Sequence, residues 1–224
     1  MMNRRALPVV LLTAVLVLGG FALLRSSPDA PRAASERTAP STEVPPAEVV
    51  EWNLDKAHSE VRFTVTHLAI SSVTGFFRDF DATVEMTPDD LKSLRTSATA
   101  RIASIDTGND KRDDHLRSDD FFDAETYPEM TFESTGVSDV NGSSFTLNGD
   151  LTIKGTTKPV SFETEMVGTA VGPQGNQRAA LKAETVINRK DFGLTWDRLT
   201  EAGGVIVGED VTIHLDVQLV RPQS

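Results

Sequence analysis

The 224-residue chain contains no cysteine. It can therefore form no disulfide, carry no thiolate nucleophile, offer no sulfur ligand to a metal, and accept no lipid on a cysteine after its apolar N-terminus. Such a chain must be stable from packing and backbone ladders alone. Polar aromatic rings are scarce too: one Tyr and two Trp stand against 11 Phe, so most rings bring no hydrogen-bonding handle. Basic charge is short, with 22 Lys and Arg against 33 Asp and Glu, a net −11. The first 51 residues hold five of each sign and leave the whole excess to the remainder, which disfavours nucleic acid and anionic headgroups as partners. Signatures of catalysis are missing. There is no Gly-x-Ser-x-Gly elbow, and Gly203-Gly204-Val205-Ile206-Val207-Gly208 sets its second glycine one place too early for a dinucleotide fingerprint. His58, His67, His115 and His214 show no His-x-His or His-x3-His spacing, so no metal site is expected. Asp114 and His115 are sequence neighbours and diverge on a helix, so they make no catalytic pair. The expectation is a protein that is not an enzyme and holds no catalytic cofactor.

Residues 6–24 carry no charge and follow Arg4 and Arg5. As a helix at roughly 1.5 Å per residue they reach about 28 Å, enough to cross a bilayer. The positive flank predicts a cytoplasmic N-terminus and an exported remainder. A cleaved signal peptide, leaving a secreted or periplasmic protein, is the competing reading. Its apolar region runs about 7–15 residues before a small-x-small site, whereas Leu23, Leu24 and Arg25 follow here. A retained anchor over 1–25 is favoured. Residues 26–51, rich in Ser, Pro, Ala and Glu, have too few large apolar side chains to offset ordering entropy and read as a disordered tether. The folded domain is then 52–224.

Within it, alternation of period two dominates. Phe145, Leu147, Gly149, Leu151 and Ile153, then Val160, Phe162, Thr164 and Met166, put one dry face on a hairpin joined through Lys154–Pro159. The same pattern runs through Val61, Phe63, Val65 and His67; Phe80, Ala82, Val84 and Met86; Met130, Phe132 and Ser134; Ala179 to Ile187; and Val211 to Leu219. Leu68–Phe77 breaks it and reads as a loop or bulged corner. Thr87-Pro88-Asp89-Asp90 starts a brief helix, Asp110–Arg117 makes two helical turns, and Asn141-Gly142 turns a hairpin. The result is an all-β chain of about eight antiparallel strands with one or two short helices. Pattern alone leaves open a ligand-sized barrel and a sandwich with a filled core. Strands at the sheet's two ends are also able to pair between two chains, which keeps a homodimer in view.

Four motifs bear on that choice. They are Asp55-Lys-Ala-His58-Ser59-Glu-Val61-Arg-Phe63-Thr-Val65-Thr-His67 with Gly75-Phe76-Phe77; His115-Leu116-Arg-Ser-Asp-Asp-Phe121-Phe122-Asp123 with Tyr127-Pro128 and Phe132; Gly149-Asp-Leu151-Thr-Ile153-Lys-Gly155; and Asn188-Arg189-Lys-Asp191-Phe192-Gly193-Leu194. In this order and spacing the chain resembles the YceI-like family over 52–220. The resemblance implies a lipocalin-like antiparallel barrel closed by helix, and an association with isoprenoids or other long-chain amphiphiles outside the cytoplasm. It implies a carrier without naming the ligand.

The residues agree with a long, narrow interior. A nine-residue strand at about 3.3 Å per residue, tilted by about 40°, encloses some 23 Å of depth. Ten methylenes removed from water contribute about 8 kcal/mol before the tail's ordering cost. Phe63, Val65, Phe80, Phe132 and Phe162 lie on inward faces and are candidate tail contacts, as ordinary core packing would also place them. Phe76, Phe77, Phe121, Phe122, Phe192 and Trp196 fall in connections and are candidates to line the mouth. His67 is the candidate head-group contact, whereas Asp113, Asp114, His115 and Arg117 read first as a solvated helix face. The competing function is a structural or protein-interaction module in which the same faces form a solid core.

Overall fold

A computed structural model describes residues 48–88, 90–197 and 206–222. The apolar segment over 1–25 and nearly all of the tether lie outside the described residues. Among the described residues no helix is long and apolar enough to cross a membrane.

Among the described residues the strands are β1 Val50–Leu54, β2 Glu60–His67, β3 Ser71–Phe77, β4 Phe80–Met86, β5 Arg95–Arg101, β6 Ile105–Asp106, β7 Glu129–Asn141, β8 Ser144–Ile153, β9 Thr156–Val171, β10 Gln177–Asn188 and β11 Val207–Val220, with one α-helix, α1 Asp110–Arg117. Every pairing is antiparallel, in the order β1-β4-β5-β7-β8-β9-β10-β11, and β1 closes the ring on β11 through Asn53↔Val220 and Leu54↔Leu219. β2, β3 and β6 continue β1, β4 and β5 past sharp corners, since β2 pairs with both β11 and β3, and β3 with β6. The fold is thus an eight-stranded closed antiparallel barrel whose first three strands bend. Closure pairs the first strand with the last, so the edge-to-edge pairing of two chains envisaged for them has no free edge there.

The first corner shows why it bends where it does. Asp55 leaves the ladder, and Lys56–His58 form a single 3₁₀ turn. The Asp55 carboxylate then accepts hydrogen bonds from Arg178 Nη1 at 2.7 Å and is bonded to His58 Nδ1 at 3.0 Å. Ser59 Oγ donates to the Asp55 carbonyl at 2.8 Å and accepts from Gln218 N at 2.9 Å. Burial alone would raise the Asp55 pKa; the bonds from Arg178 and His58 outweigh it and hold the carboxyl below its ordinary value.

Several local expectations need correction. Ser71–Phe77 is a strand, because Leu68 and Ala69 form a tight turn in the left-handed region (φ 53° and 58°) that returns the chain into register with β2. Only Lys154 and Gly155 connect β8 and β9, both with positive φ, and Pro159 lies within β9 opposite Asp150. The proline is tolerated there because β10 pairs with β9 only from Glu163 onward, so a missing donor on that side breaks no rung. Asn141 pairs with Ser144, leaving Gly142 (φ 62°) and Ser143 as the hairpin loop. The helix expected from Thr87 is a 3₁₀ turn over Leu91–Ser93, capped by the Asp90 side chain.

The interior is unevenly filled. At the end where β1 starts and β11 finishes, Trp52, Phe145, Leu147, Ala179 and Leu219 are buried against each other. β8 buries Phe145, Leu147, Gly149, Leu151 and Ile153, the alternation read from its sequence. On β2 and β11, across the barrel, the inward Val61, Phe63, Val65, Ile213, Leu215 and Val217 are only half-buried. Apolar side chains on an inner face that stay accessible mark unfilled space.

Candidate ligand cavity

That space forms two cavities of about 90 and 110 Å³. The first lies toward α1, between Phe63, Val65 and Phe77 on one wall and Ile153, Ile187 and Val211 on the other, under Leu116, Phe121 and Phe122. The surface it presents is wholly apolar. The second runs deeper, past Phe80, Phe132, Leu151 and Phe162, and is almost wholly apolar. Val61, Met130 and Ile213 line both, so the two cavities adjoin across these side chains.

Two inward phenylalanines have their space cleared by glycine. A Cβ on Gly75 would sit 2.3 Å from Phe63 Cζ, and one on Gly149 would sit 2.3 Å from Phe132 Cζ. Phe132 meets Phe162 edge-to-face at 5.3 Å, and Phe63 leans on Phe77 at 5.7 Å. The rings pave the walls instead of filling the centre.

The mouth is roofed by α1 and the segment after it. Asn109 caps the helix by accepting from Arg112 N at 3.1 Å. Asp113, read as a solvated face residue, is buried; its carboxylate accepts from Thr107 N at 3.0 Å and from the Thr107 hydroxyl. Arg117 donates to the carbonyls of Ala103 and Ile105, both at 3.1 Å. These bonds fasten the helix to β6 and aim Phe121 and Phe122 down into the barrel. His115 sits edge-on to Phe121 at 5.1 Å and to Trp196 at 5.0 Å, and bonds Asp120 at 2.9 Å.

Of the residues picked from sequence, Phe63, Val65, Phe77, Phe121 and Phe122 line the first cavity, and Phe80, Phe132 and Phe162 the second. Trp196 stacks behind Phe121 at 5.1 Å without lining either. Phe192 is buried in the core beside the β9–β10 gap. Phe76 turns away from the cavities and lies under the Arg78 guanidinium at 4.2 Å. His67 ends β2 two residues beyond Val65, paired with Val207, and lines neither cavity.

Arg189 was missed. It is 3% exposed and lines the first cavity with its stem. Its guanidinium donates to four backbone carbonyls, those of Leu194, Trp196 at 2.8 Å, Val207 at 3.3 Å and Gly208 at 2.8 Å. It thus ties the segment after β10 to the start of β11. Burial pulls its pKa down, opposed by the charges of Asp197 and Glu209. The signal was present: 189 continues the odd-numbered inward series of Ala179 to Ile187.

The YceI-like domain model matches residues 52–219, nearly the whole barrel. The chain belongs to the YceI-like family. A UPF0312 protein of Staphylococcus epidermidis is 38% identical over 171 residues, covering 76% of this chain and 97% of that one. Among solved YceI-like structures, the Campylobacter jejuni YceI protein matches with TM-score 0.62 at 33% identity over 76% of this chain and 97% of its own. Burkholderia cenocepacia BcnA matches at 0.65 and 25% identity, over 74% and 99%. A polyisoprenoid-binding domain from Saccharophagus degradans shares the fold at 0.52 and 14% identity, over 78% and 100%. For a YceI-like chain the four sequence motifs now have physical roles. The Asp55–Ser59 stretch is the stitched corner, Gly75 and Gly149 seat two rings, His115–Phe122 is the roof, and Asn188–Leu194 carries the buried arginine.

Proposed function

We propose that the barrel is a carrier that takes the hydrocarbon tail of an isoprenoid, quinone or fatty amphiphile through the α1 end and leaves the head group at the rim. The observation behind this reading is the pair of apolar cavities that adjoin at Val61, Met130 and Ile213. The polyisoprenoid-binding domain that shares the fold points to the same ligand class. We assign the protein a binding role and no catalytic residue. Residues 6–24 and 26–51, read as anchor and tether, complete the proposal by holding the barrel on the outer side of the cytoplasmic membrane.

Native mass spectrometry and organic extraction of protein purified from cells test it. A co-purifying lipid in the barrel is the expected result, with uptake of a fluorescent polyprenyl or fatty-acyl probe by the delipidated protein. A clean apo mass with no uptake of either probe overturns it. Retention of the chain in membranes after alkaline washing tests the anchor separately.

A further inference from the structure

The turn between β2 and β3 is built against the usual rules. Leu68 and Ala69 both occupy the left-handed region, at φ 53° and 58°, where Gly or Asn is the common choice. The strained turn is held by Ile70 N donating to His67 O at 3.2 Å, by Ser71 Oγ donating to the same carbonyl at 3.2 Å, and by Leu68 N donating to Ile206 O at 2.9 Å. It thrusts two branched aliphatic side chains outward: Ile70 is 86% exposed and Leu68 38%. Strain of this kind spent on placing apolar groups in water calls for a use.

Its position supplies one. The turn begins one residue beyond the His67↔Val207 pair and three beyond Val65, and both Val65 and Val207 line the first cavity. Leu68–Phe77 contains no Asp, Glu, Lys or Arg, in a chain of net charge −11. From this placement we infer that the Leu68–Ile70 turn inserts into the surface of a lipid bilayer and sets the barrel mouth against the source of its ligand. The inference rests on the carrier reading above.

A bilayer suits this tip better than a second copy of the chain. A stable interface removes about 800 Å² per partner from water, whereas a convex three-residue turn offers two aliphatic side chains. Lipid yields around such a point and receives it at the depth of the headgroups and first methylenes. The acidic charge elsewhere on the chain favours a zwitterionic surface over an anionic one.

The absence of cysteine makes the test clean. Full-length Ala69→Cys, labelled with an environment-sensitive fluorophore, is mixed with phosphatidylcholine vesicles, with Ser143→Cys at the opposite end as the control. The label at 69 should shift to the blue and be quenched by brominated acyl chains, while the label at 143 stays aqueous. Adding Ile70→Asp should return the emission at 69 to its aqueous value and slow tail loading from vesicles about tenfold or more. Loading from detergent-dispersed probe should stay unchanged. An aqueous label at 69 in protein that loads its tail normally overturns the docking turn and leaves the carrier reading intact. Failure to load from either source overturns the carrier reading. Lipid-independent disulfide formation between two Ala69→Cys chains assigns the turn to a second copy and overturns the inference.

Discussion

The edge of the Phe63 ring occupies the place where a side chain on Gly75, its directly paired neighbour on β3, would begin. Any Cβ at 75 also meets Thr107 Cγ2 at 2.8 Å. Gly75→Ala should therefore push the ring into the first cavity and reduce tail binding, with a stability cost of about 1–3 kcal/mol. The double variant Gly75→Ala/Phe63→Leu should regain part of the binding. Urea unfolding and probe titration of the three proteins check this; unaltered affinity in Gly75→Ala would show that the first cavity is not used.

Met130 lines both cavities and stands between them. An unbranched thioether can swing aside for a threading tail. Met130→Ala should open a way between the cavities and favour longer acyl or prenyl chains. Met130→Phe should block it, leaving short tails bound and weakening long ones by about tenfold, the loss of roughly two buried methylenes. A series of probes of increasing chain length reads the difference.

Arg189 satisfies four carbonyls with one side chain. Arg189→Met fills similar space but strands those acceptors, and the expected loss is about 3 kcal/mol in urea unfolding. Amide exchange over 190–197 should accelerate with it. Arg189→Lys should not restore either quantity, because one ammonium cannot reproduce the planar fork.

The Asp55 corner gives the fold a defined acid sensitivity. Its carboxyl titrates lower in the folded state than the ordinary 3.8. A depressed carboxylate contributes stability that is present above the unfolded value and lost as pH falls through the folded one. The stability gap between the parent and Asp55→Asn should be constant at pH 5–7 and close below about pH 4. Urea midpoints measured across that range decide it; a gap that persists at pH 2 would assign the effect to shape instead of charge.

Much of this was legible beforehand. β8 could be read residue by residue because each odd position from 145 to 153 is apolar or glycine and each is buried. Asp110–Arg117 is helical over its expected span, with Asn109 as its cap. β3 was obscured because its turn uses Leu68 and Ala69, which carry no turn signature, and because Ser71, Ser72 and Thr74 mask the alternation of a strand whose outer face is wet. The cavity itself could not be read from pattern, since an inward Phe looks alike in a packed core and a hollow one. What separates them is depth of burial on opposite walls: Phe145 is 2% exposed, while Phe63 keeps an open flank. Arg189 escaped because charge in a strand-end motif reads as surface, although its parity points inward.

The plug of Trp52, Phe145 and Leu219 makes the barrel a cul-de-sac. On the carrier reading proposed above, a guest would leave by the door it entered, tail last, and donor and acceptor would take turns at one doorway.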